Sequence, residues 1–353
     1  MSTVIQPLAA PPVIVEHLKF TGSGSEYFRI WITNTFLTII TLGIYSAWAK
    51  VRRTRYFYGN TRLSGASFEY HGRPGAILKG RIVALVLLVG YQVATESART
   101  LAAILFVAGL VGLPWLIWKS LQFRLYNSSY RGIRFGFAGS LSGAYLAYLL
   151  WPVLSFFCGA LLAPFAHQRI KRYQHTSSRY GTARFDFHGG VGGFYLAYLK
   201  ALLALLAGIV VLGLLFASSM ALIVKRGAVE PGAYGGVAAF LMAIYAWTFL
   251  VYPIFTALIQ NLVWNHTSIG PHRFESQVSV GRVLFIALTN LVAIVCTLGL
   301  YTPYARIRMM KYRVESMALL ADGSLDDFVA DAQAQAGAIG EGVADLLDID
   351  LAL

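Results

Sequence analysis

Four polar residues stand inside otherwise apolar stretches of this chain, and they form two pairs. Asn34 and Asn290 are 256 residues apart, and so are Thr41 and Thr297. Amides and hydroxyls in such surroundings can line a polar constriction for a solute, or they can hold two helices together by hydrogen bonds. A second set is cationic. Lys50, Arg52, Arg53 and Arg55 lie in KVRRTRY, Arg169, Lys171 and Arg172 in QRIKRY, and Arg306, Arg308 and Lys311 in RIRMMKY. Each run follows an apolar stretch, where Lys and Arg can keep their stems among acyl chains and reach lipid phosphates. These ten residues are the candidate head-group contacts.

Catalytic chemistry is harder to find. The chain has no HExxH, no CxxC, no Walker lysine and no nucleophile elbow. GSGSE at Gly22–Glu26 lacks the Lys-Ser/Thr of a phosphate loop and reads as the start of a helix. His71 and His188 hold equivalent places in two links, but with His167, His175 and His266 they show no metal-ligand spacing. Only seven acids precede Arg313, and none falls in mid-stretch, which weakens a proton-coupled mechanism. The pattern points away from an enzyme and implies neither cofactor nor metal. Cys158 and Cys296 sit in apolar stretches and read as buried small hydrophobes.

The elements that must position these groups belong to a membrane protein. The chain is 57% hydrophobic and 13% charged, with mean hydropathy +0.61, against about a quarter charged in a soluble domain. Apolar stretches near the ~20 residues that cross a bilayer lie at Trp31–Ala49, Ile82–Ala94, Leu101–Trp118, Ala144–Ala163, Ala201–Val224, Val237–Leu258 and Val283–Tyr301. The net charge of +13 is unevenly spread: none of the 29 Lys and Arg, and nine of the 16 acids, follow Arg313. That acidic stretch reads as a solvated or loosely helical tail, free to fold back on the basic runs.

A cassette joins the stretches. FEYHG (Phe68–Gly72), FGFAG (Phe135–Gly139) and FDFHG (Phe185–Gly189) have a degenerate copy at Phe274, the tail of one at Leu18–Gly22 and a decayed one near Ser324. The spacings alternate between 50 residues and longer units. Twenty-one and twenty residues ahead of the anchors stand Ala47-Trp48, Pro114-Trp115, Pro164-Phe165 and Pro253-Ile254, of which the aromatic members suit the membrane interface, and in the 50-residue units a basic run follows. Alternating residues around Ser-Gly, Arg-Gly or Gly-Thr follow and read as a short β-hairpin; a lone hairpin is marginal in water, so four or five copies are expected to pair into a small sheet on the membrane surface. The expected fold is an all-α integral membrane protein with internal repeats and short β-hairpin links at the membrane surface. The divisions are an N-terminal tail (1–17), a repeat-built membrane domain (18–315, units 18–67, 68–134, 135–184, 185–273 and 274–323) and an acidic tail (316–353).

FTGSGSEYF at Phe20–Phe28, Asn34, TLGIYSAWAKVRRTRY at Thr41–Tyr56 and the FxFxG links resemble the YjgN-like family, over roughly 18–315. The resemblance implies a multi-pass protein of the bacterial inner membrane and little biochemistry, because that family is of unknown function.

Two topologies are open. If the single stretch of each short unit spans, links 49–80 and 118–140 face one side and links 166–193 and 257–282 the other, an inverted arrangement known among transporters. The cations of link 166–193 oppose this by the positive-inside rule. Otherwise all links are cytoplasmic and the short units dip in and return. Two functions remain: a transporter or channel-like protein for a small solute or lipid, or a non-transporting lipid-binding or scaffold protein. Expected partners are anionic membrane lipids rather than nucleic acid, because the basic runs abut membrane segments, and a homo-oligomer is left open.

Overall fold

Two-residue loops between alternating strands set the architecture. The computed structural model describes residues 13–225, 231–330 and 332–333. Strands β1 (Ile14–His17) and β2 (Lys19–Phe20) come first. Four hairpins follow: β3–β4 (Thr61–Leu63, Ala66–Tyr70), β5–β6 (Ser128–Tyr130, Ile133–Phe137), β7–β8 (Ser178–Tyr180, Ala183–Phe187) and β9–β10 (Thr267–Ile269, His272–Ser276). β11 (Met317–Ala321) is last. Ser64-Gly65 and Arg131-Gly132 carry positive φ at both central loop positions, and Gly181 and Gly270 carry it at the first. Those primed turns match the right-handed twist of paired strands.

The hairpins do not stay separate. Each pairs with the next, and all eleven strands form one antiparallel sheet in the order β1-β11-β10-β9-β8-β7-β6-β5-β4-β3-β2. β1 pairs with β11 and β2 with β3, so the two outer strands are consecutive in the chain, parted only by Leu18, whose N–H reaches the Met317 carbonyl at 3.0 Å. The sheet therefore curls into a nearly closed barrel. This corrects the expected all-α class with short hairpin links: the small surface sheet expected from four or five hairpins is a barrel of eleven strands. The physical reason is that a lone hairpin leaves its outer backbone groups unpaired, and laying the hairpins edge to edge satisfies them. β1 and β11 fall in the stretches read as tails, and both serve as barrel strands. The last anchor is also displaced: Leu319 on β11 pairs opposite Phe274, whereas Ser324 caps the helix at 325–330.

The cassette acquires a mechanical meaning in this barrel. Its first residue points inward, so Leu18, Phe68, Phe135, Phe185, Phe274 and Leu319 line the interior with Tyr130, Tyr180 and Ile269. The second aromatic lies toward the helices: Phe20 stacks on Phe57, Tyr70 meets Tyr58, and Phe137 meets Tyr173. The glycine two positions on is required because that ring occupies the place of a Cβ. A Cβ at Gly72 would stand 2.4 Å from Tyr70, and one at Gly189 2.3 Å from Phe187.

Helices leave and re-enter one end of the barrel. α3 (Pro74–Ser97) and α4 (Arg99–Tyr126) form one long hairpin, and α8 (Val191–Lys225) and α9 (Pro231–Trp264) another. These four are long and apolar enough to cross a membrane. The short units instead fold as α1 (Gly24–Ile40) with α2 (Ser46–Gly59), α5 (Leu141–Tyr145) through a π-helical turn (Leu146–Leu150) and α6 (Trp151–Phe157) to α7 (Ala163–Thr176), and α10 (Val280–Cys296) with α11 (Thr302–Glu315). Their 17-residue helices α1 and α10 rise about 25 Å, short of a full crossing with interface. At two tips, left-handed Leu42-Gly43 and Leu298-Gly299 reverse the chain, with Leu42 94% and Leu298 95% exposed. Cys158 and Cys296, next to such tips, are exposed rather than buried; the stretches that hold them have few neighbours beyond lipid. A tyrosine closes each short unit onto its own start: Tyr56 Oη accepts from Ser23 N (2.9 Å), Tyr173 donates to the Ser140 carbonyl (2.7 Å), and Tyr312 accepts from Ser279 N (2.9 Å).

Because one sheet holds every link, all links lie on one side of the membrane and the short units turn back. With Cys158 and Cys296 replaced by Ser, Ser64→Cys and Pro271→Cys in two different hairpin loops should therefore react alike with a membrane-impermeant thiol reagent. The positive-inside rule places both in the cytoplasm, so labelling should require permeabilised cells. A second expectation concerns the cassette. Gly189→Ala should lower stability by about 1–3 kcal/mol through overpacking against Phe187, read as a fall in thermal midpoint in detergent.

Candidate functional site

Below the barrel, where α4, α7, α9 and α11 meet, lies a cavity of about 760 Å³. It shares Phe135, Phe185, Trp264, Met310 and Met317 with the apolar barrel interior, itself about 390 Å³. Its polar lining is mostly cationic or neutral: Arg124, Lys171, Arg313, His167, His175, Gln174 and Gln260. No Asp or Glu is among the described residues around it. Two of the three cations come from the last turn of a helix and the third from within one. Arg124 closes the long apolar α4, Lys171 lies on the basic amphipathic α7, and Arg313 lies in the last turn of α11.

Neutral amides orient the charges. Arg313 Nε donates to Gln260 Oε1 at 2.6 Å, and Gln260 Nε2 returns a bond to the Arg313 carbonyl at 3.1 Å. Lys171 Nζ is 3.5 Å from Gln174 Oε1, and Gln174 donates to Tyr148 Oη at 2.9 Å. Burial pulls the Lys171 pKa below its ordinary value, and Arg124 pulls it in the same direction. Burial also holds His175 down to about 4, with Lys171 contributing, so at neutral pH the imidazole is uncharged. Three cations facing one cavity without a carboxylate is costly unless an anion or head group enters.

A second cavity shares one lining residue with this one. Between α3 and α4 runs a groove of about 1000 Å³ lined by Gly80, Leu87, Leu88, Phe106, Leu113, Leu121 and other apolar groups, and it ends at Arg124. Arg124 thus belongs to both the cationic chamber and an apolar slot within the membrane-crossing pair.

The candidates from sequence fall into separate places. Asn290 joins α10 to α11: its Nδ2 donates to the Ala305 carbonyl at 3.2 Å and its Oδ1 accepts from Arg308 at 3.3 Å. Thr41 and Thr297 staple the tips, each donating to the carbonyl four residues back and accepting from Tyr45 N or Tyr301 N. Asn34 lies on α1 facing a smaller pocket with Lys50, Arg53 and Arg306. Of the remaining cations, Arg55 donates to the Tyr70 carbonyl at 3.2 Å, Arg169 stacks on Phe165, Lys311 pairs with Glu315, and Arg52 and Arg172 are exposed. Only Lys171 of the ten reaches the chamber. Arg124 and Arg313 were missed because each stands outside the dense runs; the available signal was an isolated arginine ending a 28-residue apolar helix.

The barrel's far end is stopped by the C-terminal segment. Leu325, Phe328, Val329 and Ala332 pack on the inner residues, Asp326 pairs with Arg131, and Phe328 stands edge-on to His272, ring centroids 4.7 Å apart. His272 is 1% exposed, and neither ring nitrogen has a partner. Most of the stretch read as an acidic tail, 334–353, lies outside the described residues.

The fold and site thus define a multi-pass membrane protein with a strand barrel seated on re-entrant and spanning helices. The chain belongs to the family described as "Bacterial protein of unknown function (DUF898)", which it matches over residues 15–346. It is also similar to proteins named "Inner membrane protein YjgN". The Salmonella typhimurium strain LT2 protein is 35% identical over 138 residues, 39% of this chain and 35% of the relative. The Escherichia coli O157:H7 protein is 30% identical over 155 residues, 44% of this chain and 38% of the relative. The matched regions span little more than a third of those relatives. No solved structure matches. The protein is a multi-pass protein of the bacterial inner membrane.

Burial lowers the His272 pKa, so the unfolded state binds a proton more readily than the folded state. The stability this costs is absent above about pH 6.5 and grows as pH falls below it. The thermal midpoint should therefore drop on acidification from pH 7 to pH 5, and His272→Phe should drop less.

Proposed function

We propose that this protein binds an anionic amphiphile at the surface of the inner membrane, with the head group in the chamber beneath the barrel and a chain in the α3–α4 groove. The observation that carries the reading is Arg124, the residue common to a carboxylate-free cationic cavity and an apolar slot in the spanning hairpin. A membrane phospholipid offers that pairing of charge and hydrocarbon on one molecule. The barrel closes the chamber from above with a wall of aromatic rings, so water is displaced from the head group and its charge–charge contacts strengthen.

This sets the lipid-binding alternative above a solute transporter. A solute path needs polar groups along the span, and the seams of the two spanning hairpins are apolar. Phe216 stacks on Phe240 in one, and the other is the groove itself. Among the described residues the two hairpins make no extensive contact with each other. The exposed cations Arg52 and Arg172 suit the general attraction of the face to anionic lipid.

The test is lipid binding by native mass spectrometry on the full chain in detergent. Phosphatidylglycerol should bind in preference to phosphatidylcholine, and Arg124→Gln with Lys171→Gln should weaken it roughly thirtyfold, taking about 1 kcal/mol per cation. Equal binding of the two lipids, or an unchanged affinity in the double variant, would contradict the proposal.

A further inference from the structure

The pair Asn34 and Asn290 differ in what their side chains meet. On α10, both ends of the Asn290 amide are satisfied, the oxygen by Arg308. On α1, Asn34 is 8% exposed and its Oδ1 is buried with no partner. The residue 256 before Arg308 is Arg52, which is exposed and makes no such bond. A buried acceptor without a donor is costly, and a partner such as water, an ion or a ligand is one thing that completes it.

What adjoins it is a pocket of about 360 Å³ between α1, α2, the start of α3 and α11. Lys50, Arg53, Arg81 and Arg306, all exposed, line it, and no acid is among its described lining. Arg81 donates to Ser46 Oγ. Thr35 and Thr38 add hydroxyls to the wall, although both donate to their own helix. Burial, then Arg81, Arg53 and Arg124 in turn, lowers the Lys50 pKa, a mark of uncompensated positive charge. The pocket is distinct from the chamber, with which it shares no lining residue.

We propose that this pocket is a second binding site, for a phosphate ester whose substituent carries a hydroxyl, of the glycerol-phosphate kind. The phosphate oxygens take the Lys50, Arg53, Arg81 and Arg306 donors. The hydroxyl supplies the hydrogen that Asn34 Oδ1 lacks. A phosphate diester without a hydroxyl would satisfy the cations and leave Asn34 Oδ1 without a donor, so among diesters the site discriminates by the hydroxyl and not by charge.

The full chain in detergent is titrated by native mass spectrometry with phosphatidylglycerol and with phosphatidylmethanol, which keeps the charged diester and lacks the hydroxyls. Both are run in the Lys171→Gln background, which impairs the chamber. Phosphatidylglycerol should bind roughly tenfold tighter, the worth of one buried hydrogen bond. Asn34→Leu should bring the two lipids to equal affinity, and Arg81→Gln should weaken both. Asn34→Asp, of the same shape, covers the case in which the leucine variant does not fold: its carboxylate occupies the cations and should weaken both lipids at least tenfold. Glycerol 1-phosphate is the soluble arm. Competition by it at similar concentration assigns the site to a free ester, and failure to compete assigns it to lipid; either source satisfies the chemistry. Equal affinities in the parent, or a preference that survives Asn34→Leu, overturns the proposal. Loss of phosphatidylglycerol preference over phosphatidylcholine at the chamber, with the hydroxyl preference intact here, would sink only the first site.

Discussion

Everything else in this molecule depends on the closure of one antiparallel sheet. Eleven short strands, none longer than five residues, have too little area to be stable apart. Joined edge to edge around a ring of phenylalanines they leave almost no free backbone, and the seam at Leu18 is a single residue wide. That closure draws the five helical excursions back to one side. A helical unit too short to cross must then turn within the membrane, and the left-handed Leu-Gly tips and their stapling threonines are the local consequence. The cassette glycines follow as well, since each aromatic ring must pass under the start of the next helix.

Closure also arranges charge. The basic helices α2, α7 and α11 run into the barrel's lower rim, while most acids lie beyond Arg313. Cations gathered around the rim therefore face cavities with few carboxylates to neutralise them. Some are consumed by the fold, as Arg55 and Arg308 are by carbonyl and amide partners. Others, Arg124, Lys171, Arg313 and the group around Asn34, line cavities with neutral partners at most and no carboxylate among the described lining. Like charges held close together repel one another, and the anionic head group proposed above would offset that repulsion. The C-terminal segment adds the one described ion pair that ties an acid of this region to a hairpin loop, Asp326 with Arg131.

Much of this was legible in the residues, and the failures have physical causes. Turn dipeptides and two-residue periodicity marked the hairpins at their observed places, and the alternation of short and long units marked which excursions hold two long helices. That lone hairpins must pair into a sheet was legible, but its closure over eleven strands was not, because strand partners are set by register between links tens of residues apart. Class was misjudged for that reason: three-residue strands such as Ser128–Tyr130 carry little signal singly. The chamber was hidden similarly. Arg124 and Arg313 come from helices distant in sequence, and His272 and Gln260 look ordinary until the barrel closes over them. Asn34 and Asn290 were found as a pair, but nothing in their shared surroundings, TLG included, tells that one amide is satisfied and the other is not.

The closed barrel is tested most directly by a disulfide across a seam between two links. Gly136 on β6 pairs with Arg179 on β7, and a Cβ at Gly136 lies 4.0 Å from that of Arg179, within the span of a disulfide. In a background lacking Cys158 and Cys296, Gly136→Cys with Arg179→Cys should crosslink in intact membranes under mild oxidation, detected as a reductant-sensitive internal bond by mass spectrometry. If links 118–140 and 166–193 instead faced opposite sides, the two positions would be separated by about 30 Å of hydrocarbon. No bond would then form, and the account of a single closed sheet would fail.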